Sequence, residues 1–450
     1  MAQLIVSISG IRGVIGDGLG PREAVRFGLA FGTHLGGGTA VLARDSRPSG
    51  PMLADAFRAG LAAAGSPVVD AGVLSTPGAA VLLRHLGAAG GAVITASHNP
   101  LAWNGIKLMS AAGMALTREQ GRPVLDLYER QSFAEVPAER LPPPQAAPDA
   151  AQIHVERVLA TVGADAIRGA RFRVVVDAVN GAGGREMGLL LARLGCECSL
   201  IHGDPTGRFG RPPEPVPENL ADLGFAVRDR RAAVGFALDP DGDRLSLVAE
   251  NGRAIGEEYT LALSCRHRLT QARGPLACNL STSRMMDDVA AEAGVPLYRT
   301  PVGEVNVAEA IDKQGCLIGG EGNGGVIDPR VVPVRDALVG AALILEMLAS
   351  RRLPLSELAA ELPVYALVKD KVPLAGTWPR NAAAVLEAAR RGFPGARADT
   401  RDGLHLSSSE GWLHVRASNT EPILRVMAEA ADEKTARAWV DGIKALAGKA

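Results

Sequence analysis

Residues 173–203 read RVVVDAVNGAGGREMGLLLARLGCECSLIHG. A short β-branched run, Val174 to Val176, leads into a polar loop, then into an amphipathic stretch that ends at Gly195, then into a second apolar run finishing at Ile201. That is the layout of a strand, a crossover helix and a parallel strand. The same layout recurs twice, as TAVLARDSRPSGPMLADAFRAGLAAAGSPVVDAG at 39–72 and as PLACNLSTSRMMDDVAAEAGVPLYRTPVG at 275–303. Gly65, Gly195 and Gly294 fall where a helix C-cap is expected. Three spaced copies predict three related α/β domains, each a parallel or mixed sheet covered by helices.

Working outward, the segment 136–151, VPAERLPPPQAAPDAA, breaks any periodic pattern and reads as a linker. A second boundary follows the strand-like RLSLVAE and its turn at Asn251-Gly252. Beyond residue 365 the pattern changes to a strand, a helix-like NAAAVLEAARRG, paired strands in GLHLSSSEGWLHVRASNTEPILRVMAEA and a closing helix. The expected domains are therefore 1–150, 151–255 and 256–365, all α/β, and a smaller α+β domain at 366–450. A chain of 450 residues has room for them at roughly 150 residues per domain.

Composition narrows the function classes. Hydrophobic residues make up 47% and charged residues 22%, ordinary globular usage. A formal net charge of −1 supplies no broad field for nucleic acid or an anionic membrane surface, so phosphate binding has to come from local clusters. Cysteines at 196, 198, 265, 278 and 316 form no CxxC pair and fit a reduced protein. MAQLIVSISGIRG lacks the basic and apolar regions of a signal peptide, and no apolar run is long enough to span a membrane. The expectation is a cytoplasmic protein.

Four loops carry chemistry. In VGFALDPDGDRLSLVAE, Asp239, Asp241 and Asp243 repel one another unless a hard divalent cation sits among them. An EF-hand is excluded, because Arg244 stands where that loop needs glycine and strands flank it. The haloacid-dehalogenase pattern also fits, and would make Asp239 a phosphate-accepting nucleophile. In LIGGEGNGGVIDPRVVPVRDAL, glycines 319, 320, 322, 324 and 325 allow positive φ and close approach to a ligand, leaving Glu321 and Asn323 to bind hydroxyls of a sugar. A plain glycine-rich turn is the alternative. In HVRASNTEPILRVMAEA, Arg416, Ser418, Asn419, Thr420 and Arg425 suit a phosphate dianion, or else form a solvated turn.

The fourth loop is Thr95-Ala96-Ser97-His98-Asn99-Pro100, with Lys107 close behind. Adjacent residues in an extended chain point to opposite sides, and no G-x-S-x-G elbow surrounds Ser97, so a serine hydrolase is disfavoured. A serine accompanied by a metal loop, a hydroxyl-binding loop, a phosphate-binding loop and a lysine has the parts of phosphoryl transfer on a sugar phosphate.

TASHNP, DPDGDR, GEGNGG and RASNTEP, in that order, resemble the α-D-phosphohexomutase superfamily over nearly the whole chain. The resemblance implies four domains around a central cleft and a phosphoryl group carried on Ser97. It implies Mg²⁺ held by Ser97, Asp239, Asp241 and Asp243, with Arg12 and Arg244 as cations beside the phosphate, His98 as its neighbour and Lys107 as acid–base help. It also implies hexose phosphate substrates, a 1,6-bisphosphate intermediate and activator, and a monomer or homodimer. Glu304 and VPENL at 216–220 look more like phosphoglucosamine mutase, and Asn323 stands where serine is usual, as in archaeal-type members. A phosphatase acting through Asp239 and a silent sugar-phosphate binder are the competing expectations.

Overall fold

The structure is a computed structural model, and it describes residues 4–143, 145–373, 380–393, 395–417 and 423–447. Three of its four sheets share one plan. In the second domain the order is Glu197–Ile201, Arg173–Asp177, Val234–Leu238, Leu245–Ala249, with three parallel strands and the last antiparallel. The third repeats it as Leu297–Thr300, Leu276–Asn279, Ile318–Glu321, Gly325–Ile327. In the first domain Val68–Val73, Ala40–Arg44, Gly90–Ile94 and Trp103–Ser110 do the same, and Gly10–Ile15 extends that sheet antiparallel to Trp103–Ser110. In the inner strands Gly90–Ile94, Arg173–Asp177, Val234–Leu238 and Leu276–Asn279 the β-branched and small residues are buried on both faces, as helix-covered parallel strands require.

The fourth sheet is wholly antiparallel, ordered Ala366–Pro373, Ile423–Ala430, Gly411–Ala417, Leu404–Ser407, Arg397–Asp399. Helices Arg380–Gly392 and Glu433–Ala447 share its apolar core through Val385, Ala389, Val440 and Ile443. The α+β reading of this segment holds.

Two expectations need correction. The proline-rich segment after residue 136 is more than a connection: Gln145–Ala146 adds a parallel edge strand beside Val69 and Asp70. Of the three expected cap glycines only Gly294 is the cap residue itself, with φ +62°. Ala64 and Leu194 close the other two helices, and Gly65 and Gly195 take the left-handed conformation one position later, where chain reversal needs it.

One element gave no sign of its importance. Helix Ala337–Arg351 is buried on every side from Ala337 to Leu348, and its side chains join a single core with residues of the first three domains. A helix apolar all round belongs inside a protein. Its N-terminus points the segment Arg335-Asp336 at the loops described next.

Candidate active site

Three of the four loops occupy one topological position. Each joins the third parallel strand of its sheet to the antiparallel partner: 95–102 in the first domain, 239–244 in the second, 322–324 in the third. Repetition of the fold thus brings three different side-chain sets to equivalent strand ends, where open α/β sheets bind ligands.

Ser97 sits in a left-handed conformation, φ +48°, which a non-glycine residue adopts only when held. The hold comes from Arg47, fully buried and paired with Asp45 at 3.0 Å. Arg47 donates to the carbonyl oxygens of Ser97, Asn99 and Pro100 at 2.6, 2.7 and 2.9 Å. Thr95 donates to Asp45 and accepts the Ser97 N–H. The turn also changes the relation to His98. The two side chains do not point apart, because the chain is not extended there: Ser97 Oγ lies 3.3 Å from His98 Nδ1. Burial, with Arg244, Arg12 and Arg335 nearby, nevertheless pushes the imidazole down to about 2, so it stays neutral and is a poor base. Ser97 Oγ instead donates to Asp239 Oδ2 at 3.0 Å.

Asp239, Asp241 and Asp243 are fully buried, with ligand atoms within 4.8 Å of one another. Burial and the other two carboxylates push Asp239 up. Burial acts on Asp241 in the same sense, but Lys107, a hydrogen bond shared with Asp239, and Thr76 hold it below the usual carboxylate range. Asp241 Oδ1 and Asp243 Oδ1 are buried without a hydrogen-bond partner among the described residues. Orphaned carboxylate oxygens facing one another are the environment a hard cation resolves, and the donor set is all oxygen, so the residues present fit Mg²⁺. Asp239 Oδ2 accepts from Ser97, and its Oδ1 accepts the N–H groups of Asp243 and Arg244.

Lys107 donates to Asp241 Oδ2 at 2.6 Å and stands 3.6 Å from Asp243. Burial opposes its charge, yet those two carboxylates raise its pKa, so it enters the site as a proton donor. Arg12 reaches Asn99 at 3.1 Å, and Arg244 reaches Glu214 at 3.4 Å. Both line a cleft of about 470 Å³, together with His98, Lys107, Glu321, Asn323, Arg416 and Arg425. Arg416 and Arg425 are cross-strand partners on the fourth sheet, and Arg416 pairs with Asp402 at 3.3 Å. Ser418, Asn419 and Thr420 lie outside the described residues.

In the third loop the expected positive φ is confined to Gly320 and Gly324. At Gly322 a Cβ would stand 1.9 Å from Glu258 Oε2, so that carboxyl group would have to shift to admit a side chain. Glu321 accepts from Asn279 at 2.7 Å and pairs with Arg335; Asn323 donates to Glu321 at 3.3 Å while its own Oδ1 is buried and unpartnered. Sequence reasoning missed Thr76, Glu258 and Arg335. Thr76 Oγ1 donates to Asp241 at 2.7 Å, and Arg335 bridges Asp243 at 2.6 Å, Glu304 at 3.0 Å and Glu321. Burial pushes Glu258 up to about 8. The cap pattern Ser75-Thr76-Pro77 and the pair Arg335-Asp336 before an apolar helix were the available signals.

Four consecutive domain descriptions of phosphoglucomutase/phosphomannomutase match this chain: α/β/α domain I over residues 4–135, domain II over 152–252, domain III over 257–365 and the C-terminal domain over 367–446. The chain belongs to the phosphoglucomutase/phosphomannomutase family. It is 39% identical to a probable phosphoglucosamine mutase of Methanopyrus kandleri, covering 95% of this chain and 94% of the relative. It is 38% identical to a phosphoglucomutase/phosphomannomutase of Thermococcus kodakarensis, covering 97% of each. Among solved structures, a phosphoglucomutase/phosphomannomutase family protein from Burkholderia thailandensis superposes with a TM-score of 0.83 at 28% identity, over 98% of this chain and 97% of that one. The protein is a phosphohexomutase, an isomerase that shifts a phosphoryl group within a hexose phosphate.

Proposed function

We propose that this phosphohexomutase interconverts glucosamine 6-phosphate and glucosamine 1-phosphate through a phosphoryl group carried on Ser97. The observation that carries the reading is the buried Ser97 Oγ beside Asp239, with unpartnered oxygens of Asp241 and Asp243 in the same carboxylate group. Asp239, Asp241 and Asp243, with Ser97, would hold Mg²⁺, which when bound offsets phosphate charge and polarises the phosphoryl oxygens. Arg12, Arg244 and the neutral His98 face the cleft beside it, and Lys107 is the group that gives and takes the proton. In the transfer, the bond from phosphorus to Ser97 breaks as a bond to the sugar hydroxyl forms, giving a 1,6-bisphosphate. That intermediate turns over in the cleft before its other phosphate returns to Ser97. Arg416 and Arg425, with Ser418 to Thr420, grip the phosphate that is not reacting, and Glu321 and Asn323 bind sugar hydroxyls in both orientations.

Support for an amino sugar comes from the cleft wall, where Glu214, Glu304 and Glu321 face the space an ammonium group would occupy. A bifunctional phosphomannomutase/phosphoglucomutase is the second reading, favoured by the near-equal identity to the Thermococcus relative of that name. The accompanying reading is a cytoplasmic monomer or homodimer with domains meeting near residues 150, 255 and 365, activated by traces of hexose 1,6-bisphosphate and using no nucleic acid or membrane partner. Among the described residues no helix is long and apolar enough to cross a membrane.

The test is a mutase assay on glucosamine, glucose and mannose phosphates side by side with Mg²⁺, paired with intact-protein mass spectrometry. Ser97→Ala is expected to lose one phosphoryl mass and to lower mutase activity by about 10³-fold or more. A Ser97→Ala protein that still interconverted 1- and 6-phosphates would remove the phosphoserine. Comparable rates on glucose and mannose with none on glucosamine would replace the substrate.

A further inference from the structure

Behind the metal loop, where the first three domains meet, His154, Glu186 and Asp336 form a buried polar chain that touches no substrate-facing atom. His154 lies on helix Ala150–Leu159 and is fully buried. Its Nδ1 stands 2.7 Å from Glu186 Oε1 and its Nε2 2.8 Å from Asp336 Oδ2. An imidazole between two carboxylates satisfies both only when both ring nitrogens donate. Burial opposes that charge, but Asp336 and Glu186 raise the pKa to about 10, so the ring is an imidazolium at neutral pH.

Each end of this chain leads to the metal loop. Glu186 accepts the N–H and the Oγ–H of Ser75, at 2.9 and 2.8 Å. The next residue, Thr76, holds Asp241 twice, through its Oγ1 to Oδ2 at 2.7 Å and through its N–H to the Asp241 carbonyl at 2.8 Å. On the other side Asp336 caps helix Ala337–Arg351 by accepting the Leu338 N–H at 2.9 Å. Its neighbours reach the same loop, Arg335 to Asp243 Oδ2 at 2.6 Å and the Ala337 N–H to the Gly242 carbonyl at 3.3 Å. The residue beside each clamped residue therefore holds one carboxylate of the loop.

We propose that His154 is a positioning residue for the metal site: by bonding Glu186 and Asp336 at once it fixes the spacing of Thr76 and Arg335, and through them the spacing of Asp241 and Asp243. The inference rests on the reading of the Asp triplet as a cation site. An uncharged side chain at 154 leaves two buried carboxylates without their cation, and the two segments move apart. Partners one layer out from metal ligands set affinity by orienting those ligands.

The experiment is Mn²⁺ titration by calorimetry on the metal-free full chain, with inorganic phosphate titrated in parallel as a probe of Arg416 and Arg425. In His154→Gln the Mn²⁺ dissociation constant is expected to rise about 10-fold or more, while phosphate affinity changes less than about twofold. The Mg²⁺ needed for half-maximal activity should rise with it, with KM for the hexose phosphate unmoved. A folded His154→Gln with unchanged Mn²⁺ affinity overturns the proposal, whatever its melting temperature. If that variant does not fold, Asp336→Asn keeps the cap acceptor and loses the charge facing Nε2. The same rise is expected there, and its absence is equally decisive. A native chain that binds no Mn²⁺ removes the metal reading instead, and is told apart by that.

Discussion

The loops at 239–244 and 322–324 hold the same place in sister domains, yet they are built in opposite ways. In the first, the three carboxylates are buried, and their side-chain hydrogen-bond donors come from other domains: Thr76, Ser97 and Lys107 from the first, Arg335 from the third. In the second, the contacts of Glu321, Gly322 and Asn323 stay mostly within their own domain. The difference separates two demands. On the proposed function, carboxylates gripped by side chains of two neighbouring domains stay fixed during phosphoryl transfer, whereas a loop held from within its own domain adjusts to a sugar in either orientation.

The hardest way to break that contrast is Asp241→Asn. It removes one negative charge from the triplet and weakens the contacts with Lys107 and Thr76, so kcat/KM should fall by about 100-fold or more. Steady-state kinetics across a Mg²⁺ series checks this; wild-type kinetics would mean that the loop is only an acidic turn. Next comes Gly324→Ala. Gly324 has φ +85°, and a Cβ would stand 2.4 Å from the Leu245 carbonyl oxygen, so the tip of the third-domain loop is seated against the exit of the metal loop. We expect a loss of about 1 to 3 kcal/mol, read as a lower urea midpoint. An unchanged midpoint would show that the two loops are not mechanically joined.

The grip itself is tested through pH. The pKa of His154 is raised to about 10 in the folded chain, and an unfolded histidine titrates near 6.5. Between those values the folded state keeps a proton that the unfolded state has lost, so this stabilisation is complete below about pH 6.5 and is lost as pH rises towards 10. The urea midpoint of the native chain should fall over that window, and His154→Gln should fall less steeply; parallel slopes would contradict an imidazolium between Glu186 and Asp336. The smallest effect is expected at the permissive loop. Asn323→Ser should alter the ratio of kcat/KM values between glucosamine and glucose phosphates by about 1 kcal/mol, less than tenfold, without touching Mg²⁺ dependence. A loss as large as that of Asp241→Asn would erase the distinction between the loops.

Much of this architecture was legible because the repeats are local. Each strand, helix and cap signal lies within about thirty residues, the span of one strand-helix-strand unit, and the four loops carry their chemistry in contiguous letters. What could not be read was contact between distant segments. Thr76 and Asp241 are 165 positions apart, and Arg335 and Asp243 are 92, with nothing in either neighbourhood to pair them. His154 looks like an ordinary residue on a helix until three domains close around it. The relation of Ser97 to His98 escapes the sequence for the converse reason. The local rule for extended chains fails where Arg47, fifty positions away, holds the chain in another conformation. The short edge strand at Gln145–Ala146 was hidden among prolines, which ordinarily argue against pairing.

Arg416 and Arg425 face each other across adjacent antiparallel strands, a register in which like charges repel. Among the described residues Asp402 pairs with Arg416 and no carboxylate pairs with Arg425, which leaves an excess of positive charge at the cleft edge. An anion arriving there does more than add contacts. It removes a repulsion already present in the fold, so that ligand binding and the stability of this domain become one measurable quantity.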